Sequence, residues 1–183
     1  MTETPYIKMK EQQIRICTLS IPDDLGKDYL KDLHSGQGGD YEDYPALGVS
    51  IITLKTHIWE TLIKFVIIRV NTKEFMERNR PWLFQNSQGL VILFQRFNPD
   101  DIEKARGLYL QFQKMNPDDS TTTVFIDVIP ESKRSEKLTF PEPEGNESGV
   151  FFYEILEANS ILKAFERIAK EKLMVGSKNQ VVG

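Results

Sequence analysis

The stretch Ile14–Leu30, IRICTLSIPDDLGKDYL, decides how the chain is read. Ile14, Ile16, Cys17 and Leu19 form a short apolar run. A turn with Pro22, Asp23, Asp24 and Gly26 follows, and then Leu30 and Leu33 recur at helical spacing. Strand, tight loop, Gly-Lys and helix is the layout of a phosphate-binding loop, G-x-x-x-x-G-K-[ST]. The chemistry of that motif is damaged here. Ile21 stands where the first glycine lets the backbone curl around phosphates, and Asp28 stands where a hydroxyl would ligate Mg²⁺. Only Gly26 and Lys27 match. Asp23 and Asp24 put negative charge in a loop that should point bare N–H groups at an anion. Lys27 has two readings, a relic that still holds an anion or a solvated helix lysine.

The chain has 183 residues, of which 40% are hydrophobic and 27% charged, and its formal net charge is -4. One domain is the default at this length, with enough residues for a proper core. Acidic balance argues against nucleic acid, because counterion release needs a basic face. The single cysteine, Cys17, excludes a disulfide framework and suggests a cytoplasmic setting. No stretch has the length of a membrane span. The amino end reads as neither a signal peptide nor a myristoylation site, and the carboxyl end has no cysteine for prenylation, so no direct membrane anchor is expected.

Outward from the opening stretch, residues 1–12 read as a loose lead-in, 13–174 as the domain and 175–183 as a flexible tail. A short helix is expected over Lys27–His34, then an acidic, aromatic loop, Tyr41–Pro45. Leu47–Ile58 and Leu62–Val70 are long apolar runs separated by a few residues, which predicts an antiparallel hairpin with Trp59-Glu60 at its turn. A helix over Glu74–Gln85 follows, bent or broken by Pro81. Gly89–Phe94 is a continuous apolar run, as in strands buried on both faces. Asn98-Pro99-Asp100-Asp101 opens the best-marked helix, with a cap, a first-position proline and acids matched to the dipole. Thr121–Ile129 and Gly149–Ile155 read as strands, 130–148 as a long loop, and Ser160 as the cap of a last helix. Strand–helix alternation with one inserted hairpin predicts a mostly parallel α/β sheet with helices on both faces. Ligands in such sheets bind outside the carboxyl ends of the strands.

Three further segments carry a resemblance. Tyr44–Val49 resembles the y-x-P-T-I-G-V segment of the first switch of Ras-like small GTPases. Asn86–Phe94 resembles their g-A-D-G-V-I-L-V-F strand. Phe151–Glu154 followed by Ser160–Phe165 resembles f-x-E-T-S-A-k … N-v-x-x-a-F. The resemblance covers nearly the whole chain and implies a P-loop-type small-GTPase-like fold. That fold is a six-stranded, mostly parallel sheet with one antiparallel hairpin strand and five helices on both faces.

The positions that carry the family's chemistry depart from it. Ala46 matches the Mg²⁺-ligating threonine, and Val70-Asn71-Thr72-Lys73 matches D-T-A-G, with Asn71 in place of the carboxylate. Val128–Glu131 matches the base-reading N-K-x-D, and Ile155-Leu156-Glu157 matches the S-A-K loop. Phosphoryl transfer is mostly positioning and electrostatic stabilisation, so these departures imply a pseudo-GTPase. Such a chain would be a protein-interaction module, an adaptor or subunit of an assembly, with a protein partner and no cofactor. The alternative is an unorthodox small GTPase holding GTP or GDP, with Mg²⁺, through degenerate motifs. An unrelated receiver- or flavodoxin-type domain would lack the early hairpin. Gly26 and Lys27 are the relic nucleotide-binding candidates. Tyr41, Tyr44, Trp59, Trp82 and Phe84 are candidate partner anchors, with core filling the other reading, above all for Trp82. Leu138 and Phe140 would plug the sheet or meet a partner if the loop 130–148 replaces a covering helix. His34 and His57 read as structural. Asp23, Asp24 and Asp28 read as turn and helix-start charges rather than a metal cluster.

Overall fold

A computed structural model describes residues 10–78, 81–95, 98–117, 121–128, 150–155 and 161–178. The strands are β1 (Lys10–Ser20), β2 (Asp40–Tyr44), β3 (Val49–Ile58), β4 (Thr61–Val70), β5 (Gly89–Phe94), β6 (Thr122–Val128) and β7 (Val150–Ile155). The helices are α1 (Asp23–Gln37), α2 (Thr72–Arg78), α3 (Pro99–Met115) and α4 (Ile161–Lys178). The strands form one sheet in the order β2-β3-β4-β1-β5-β6-β7.

This is not the six-stranded Ras-like sheet that the resemblance implies. The sheet has seven strands, and two antiparallel pairs, β2 with β3 and β3 with β4, stand at one edge. The addition is Asp40–Tyr44, which composition marks as a loop. Its side chains are mostly exposed on both faces, so no alternation of apolar residues announces it. It forms because β3 is ten residues long, and the first half of its outer edge, Val49–Thr53, takes β2 as partner. The β3–β4 hairpin is as the two apolar runs require, with Trp59 at φ 52° in its turn. The described residues hold four α-helices.

β1 is parallel to β4 on one side and to β5 on the other. One face of the sheet carries Ile14, Ile16, Ile63, Phe65 and Ile67, packed against Leu30 and Leu33 of α1 and Phe165 and Ile168 of α4. The opposite face carries Cys17, Leu19, Ile68 and Val70, packed against Phe75 of α2 and Leu108 and Phe112 of α3. Connections therefore leave β1 and β4 over opposite faces, and the carboxyl end of β1 is the point where a crevice forms in such sheets.

Two helices differ from expectation. α1 begins at Asp23 rather than Lys27, because Pro22 (φ -67°) enters as the cap and Asp23 and Asp24 fill the first turn. α2 is short, and a 3-10 turn at Pro81–Leu83 replaces its expected second half. α3 starts as its sequence requires, with the Asn98 side chain accepting from the Asp100 amide. The long segment 130–148 and Ser160 lie outside the described residues.

Candidate functional site

The residues matched to the phosphate loop lie at the corner where β1 runs into α1. Ile21–Pro22 is a cis peptide, and the Ile21 amide donates to the Leu93 carbonyl at 2.8 Å, tying the corner to β5. Ser20 Oγ donates to the Asp23 carbonyl at 3.0 Å, and Arg69 Nη2 donates to the same carbonyl at 3.0 Å. Asp23 Oδ1 accepts from the Thr72 amide at 2.6 Å, and Thr72 Oγ1 donates to the Ser20 carbonyl at 2.7 Å. The start of α1 is thus bound to the start of α2 through groups that an anion would otherwise need.

Gly26 closes the corner from above. A methyl group at its Cα would lie 2.5 Å from Ser20 Oγ and 2.8 Å from Ser20 Cβ, so only glycine lets α1 sit this close to β1. Arg69 Nε lies 3.8 Å from the same point. In a working phosphate loop that backbone curls around an anion; here Ser20 fills the space. Arg69 is 6% exposed, and its Nε has no hydrogen-bond partner among the described residues. Its position near the end of the apolar run LIKFVIIRV was legible, but its reach to Asp23, 46 residues away in sequence, was not.

Lys27 points outward and meets Asp43 of β2 at 3.8 Å, with both side chains about one third exposed. Ser50 Oγ donates to the other oxygen of Asp43 at 2.8 Å. The lysine matching the motif therefore ties α1 to the added strand. Asn71, matched to the family's carboxylate, is the cap of α2: its Oδ1 accepts from the amides of Lys73 at 3.0 Å and Glu74 at 3.3 Å. Ala46 lies exposed in the 3-10 turn Pro45–Leu47. Gly48, which follows it, has φ +63°, and a methyl group there would lie 2.6 Å from Glu74 Cγ.

The candidate anchors do not form one patch. Tyr41 is half-buried against the core, its ring 5.7 Å from that of His34. Tyr44 is 40% exposed and its hydroxyl donates to the Glu42 carboxylate, a bond that raises the phenol's pKa together with the charge of Glu42. Trp59, 62% exposed, lies at the far end of β3, about 30 Å along the strand from the Tyr44–Val49 pair. Trp82 is exposed, in a turn held by Arg15 Nη2 donating to the Leu83 carbonyl at 3.0 Å. The core-filling reading fits Phe84 rather than Trp82: Phe84 is buried, edge-on to Phe75 at 4.7 Å and to Phe112 at 6.3 Å. Leu138 and Phe140 lie outside the described residues.

Cys17 is buried in the sheet, and burial pushes its thiol pKa far up, which makes it a small core residue. Among the described residues no group of three or more His, Cys, Asp and Glu could hold a metal. His34 Nε2 lies 3.0 Å from the Gly39 carbonyl, and His57 is exposed. Among the described residues no helix is long and apolar enough to cross a membrane.

A second feature borders the corner. A cleft of about 550 Å³ lies between the β1–α1 turn, α2 and α3, lined by Pro22, Asp23, Thr72, Lys73, Asp101 and Lys104 among others. No protein-family model matches the chain, and no curated protein is similar to it at a significant level.

Proposed function

We propose that the chain is a protein-interaction module, an adaptor or a subunit of an assembly, that does not hydrolyse guanine nucleotide. One observation carries the reading: the β1–α1 corner binds itself. Ser20 and Arg69 donate to the Asp23 carbonyl, the Asp23 carboxylate takes the Thr72 amide, and Gly26 is pressed onto Ser20. A triphosphate would need the space Ser20 fills and would meet Asp23 and Asp24 at the helix start, where like charge repels it. Lys27, the cation that would pair with phosphate, is turned to Asp43. Large side chains left in water at several places, Tyr44, Trp59, Trp82, Met76 and Leu110, are the raw material of contacts with other proteins.

The test is thermal unfolding with and without Mg-GTP. A nucleotide present at a hundred times its dissociation constant adds about 2.7 kcal/mol to stability. The expected result is an unchanged melting temperature at millimolar Mg-GTP. A saturable rise would replace this reading with that of an unorthodox nucleotide-binding protein.

A further inference from the structure

α3 carries a glycine that the fold does not explain. Gly107 sits in the middle of a 17-residue helix, where glycine is the poorest residue after proline. Among the described residues nothing lies within 4 Å of where its methyl group would be, so no close approach by any of them requires it. Gly26 and Gly48, by contrast, each have a neighbour that a side chain would strike.

What Gly107 does is floor a groove. It lines the 550 Å³ cleft beside the β1–α1 corner and also a second cleft of about 570 Å³ lined by Leu110, Gln111, Lys114 and Met115. Met76 of α2 is the other residue common to both, so the two clefts join along the α2–α3 seam. Met76 and Leu110 are each half exposed. Methionine-lined surfaces adapt to apolar side chains of varied shape.

The charge of the groove is opposite to that of the chain. Lys73, Lys104 and Lys114 line it, in a chain of net charge -4. Its two acids are turned to internal partners. Asp23 takes the Thr72 amide, and the buried Asp101 takes Asn98 Nδ2 at 3.1 Å and Lys104 at 3.8 Å. Among the described residues Lys73 and Lys114 have no ion pair.

We infer that the α2–α3 groove receives an acidic, amphipathic segment of a partner protein, with apolar side chains seated between Met76 and Leu110 over Gly107 and carboxylates meeting Lys73 and Lys114. This is the helix-in-groove mode of peptide recognition. It rests on the interaction-module reading and gives that module a site and a partner chemistry.

The experiment is selection of a displayed random peptide library, about sixteen residues long, on the immobilised full chain. Selected peptides are then titrated by fluorescence anisotropy against wild type, Gly107→Leu and Lys114→Glu. Gly107→Leu fills the groove floor and replaces a poor helix former, so its melting temperature should not fall below wild type. The expected result is convergent peptides with acids between apolar residues at i, i+3 or i+4, losing about tenfold or more in affinity on each variant. Convergent peptides indifferent to both variants would overturn the groove assignment while leaving the interaction-module reading standing. Failure of any peptide to enrich, or enrichment of basic peptides, would overturn it as well. So would a wild-type dimer that Gly107→Leu makes monomeric in sedimentation, because the occupant would then be a second copy of this chain. Failure of the broader reading shows separately, as stabilisation by Mg-GTP.

Discussion

Gly26→Ala tests the closed corner at a single atom. The added methyl would lie 2.5 Å from Ser20 Oγ and 2.8 Å from Ser20 Cβ, and Ser20 is 1% exposed with its hydroxyl held by the Asp23 carbonyl. The nearest atoms belong to a short, bonded side chain on a central strand, so relief requires α1 to lift off the sheet. Overpacking of this kind costs roughly 1–3 kcal/mol. Alanine returns up to about 1 kcal/mol of helix propensity. With a contact this short the upper half of the first range applies, leaving a net loss of about 1–2 kcal/mol. In a chain of this size each kcal/mol lowers the melting temperature by about 2–4 °C. Urea denaturation of wild type, Gly26→Ala, Ser20→Gly and the double variant gives the coupling directly, because Ser20→Gly removes both struck atoms. The double variant should recover at least about 1 kcal/mol relative to additivity. A Gly26→Ala protein more stable than wild type by the propensity gain alone, with an additive cycle, would refute the close packing and with it the filled anion space.

Other expectations follow from burial. Phe84→Ala should cost about 3–5 kcal/mol, because it empties the ring cluster with Phe75 and Phe112, whereas Trp82→Ala should stay within about 0.5 kcal/mol. Chemical denaturation of the two variants side by side checks this, and equal losses would contradict the assignment of Phe84 to the core. Native protein should resist thiol reagents at Cys17 at pH 8, while denaturant exposes one reactive thiol. The same burial sets a pH dependence. The unfolded thiol loses its proton near its ordinary value of 9.0 and the folded one stays protonated. Above that pH the unfolded state binds fewer protons, so stability falls as pH rises, by up to about 1.4 kcal/mol per pH unit from this group. Urea unfolding at pH 8 and pH 10 should show that component in wild type and not in Cys17→Ala.

The sequence carried the middle of the sheet well. Two long apolar runs around Trp59-Glu60 announced the β3–β4 hairpin, and GLVILF announced a strand buried on both faces, because burial writes itself into composition there. α3 was marked by its cap, its proline and its acids. β2 was not legible: Asp40–Tyr44 is held by the free edge of β3, a tertiary cause that its own acidic residues do not express. That one strand changes the sheet from the expected six to seven. The early start of α1 was legible in principle, since Pro22 followed by two aspartates is a helix-start signal, but the Gly26-Lys27 pair also fits the layout of a phosphate loop.

The site divides along the same line. Missing motif residues could be read one by one, but what stands in their place could not. Asn71 as the cap of α2, Lys27 turned to Asp43, and Arg69 reaching the Asp23 carbonyl are contacts between segments distant in sequence. The proposed anchors shared only aromatic character, and the fold distributes them between the two ends of the sheet and the core. Gly107 was visible as a glycine inside a helical pattern, but the groove it lines is formed with Met76 of α2, a neighbour that the pattern does not express.

Isothermal titration of Mg-GTP into the 183-residue chain probes the closed corner most directly. The account predicts heats of dilution alone, with wild type and Lys27→Ala indistinguishable. Saturable binding that Lys27→Ala abolishes would show that the corner opens to a triphosphate, and would contradict it.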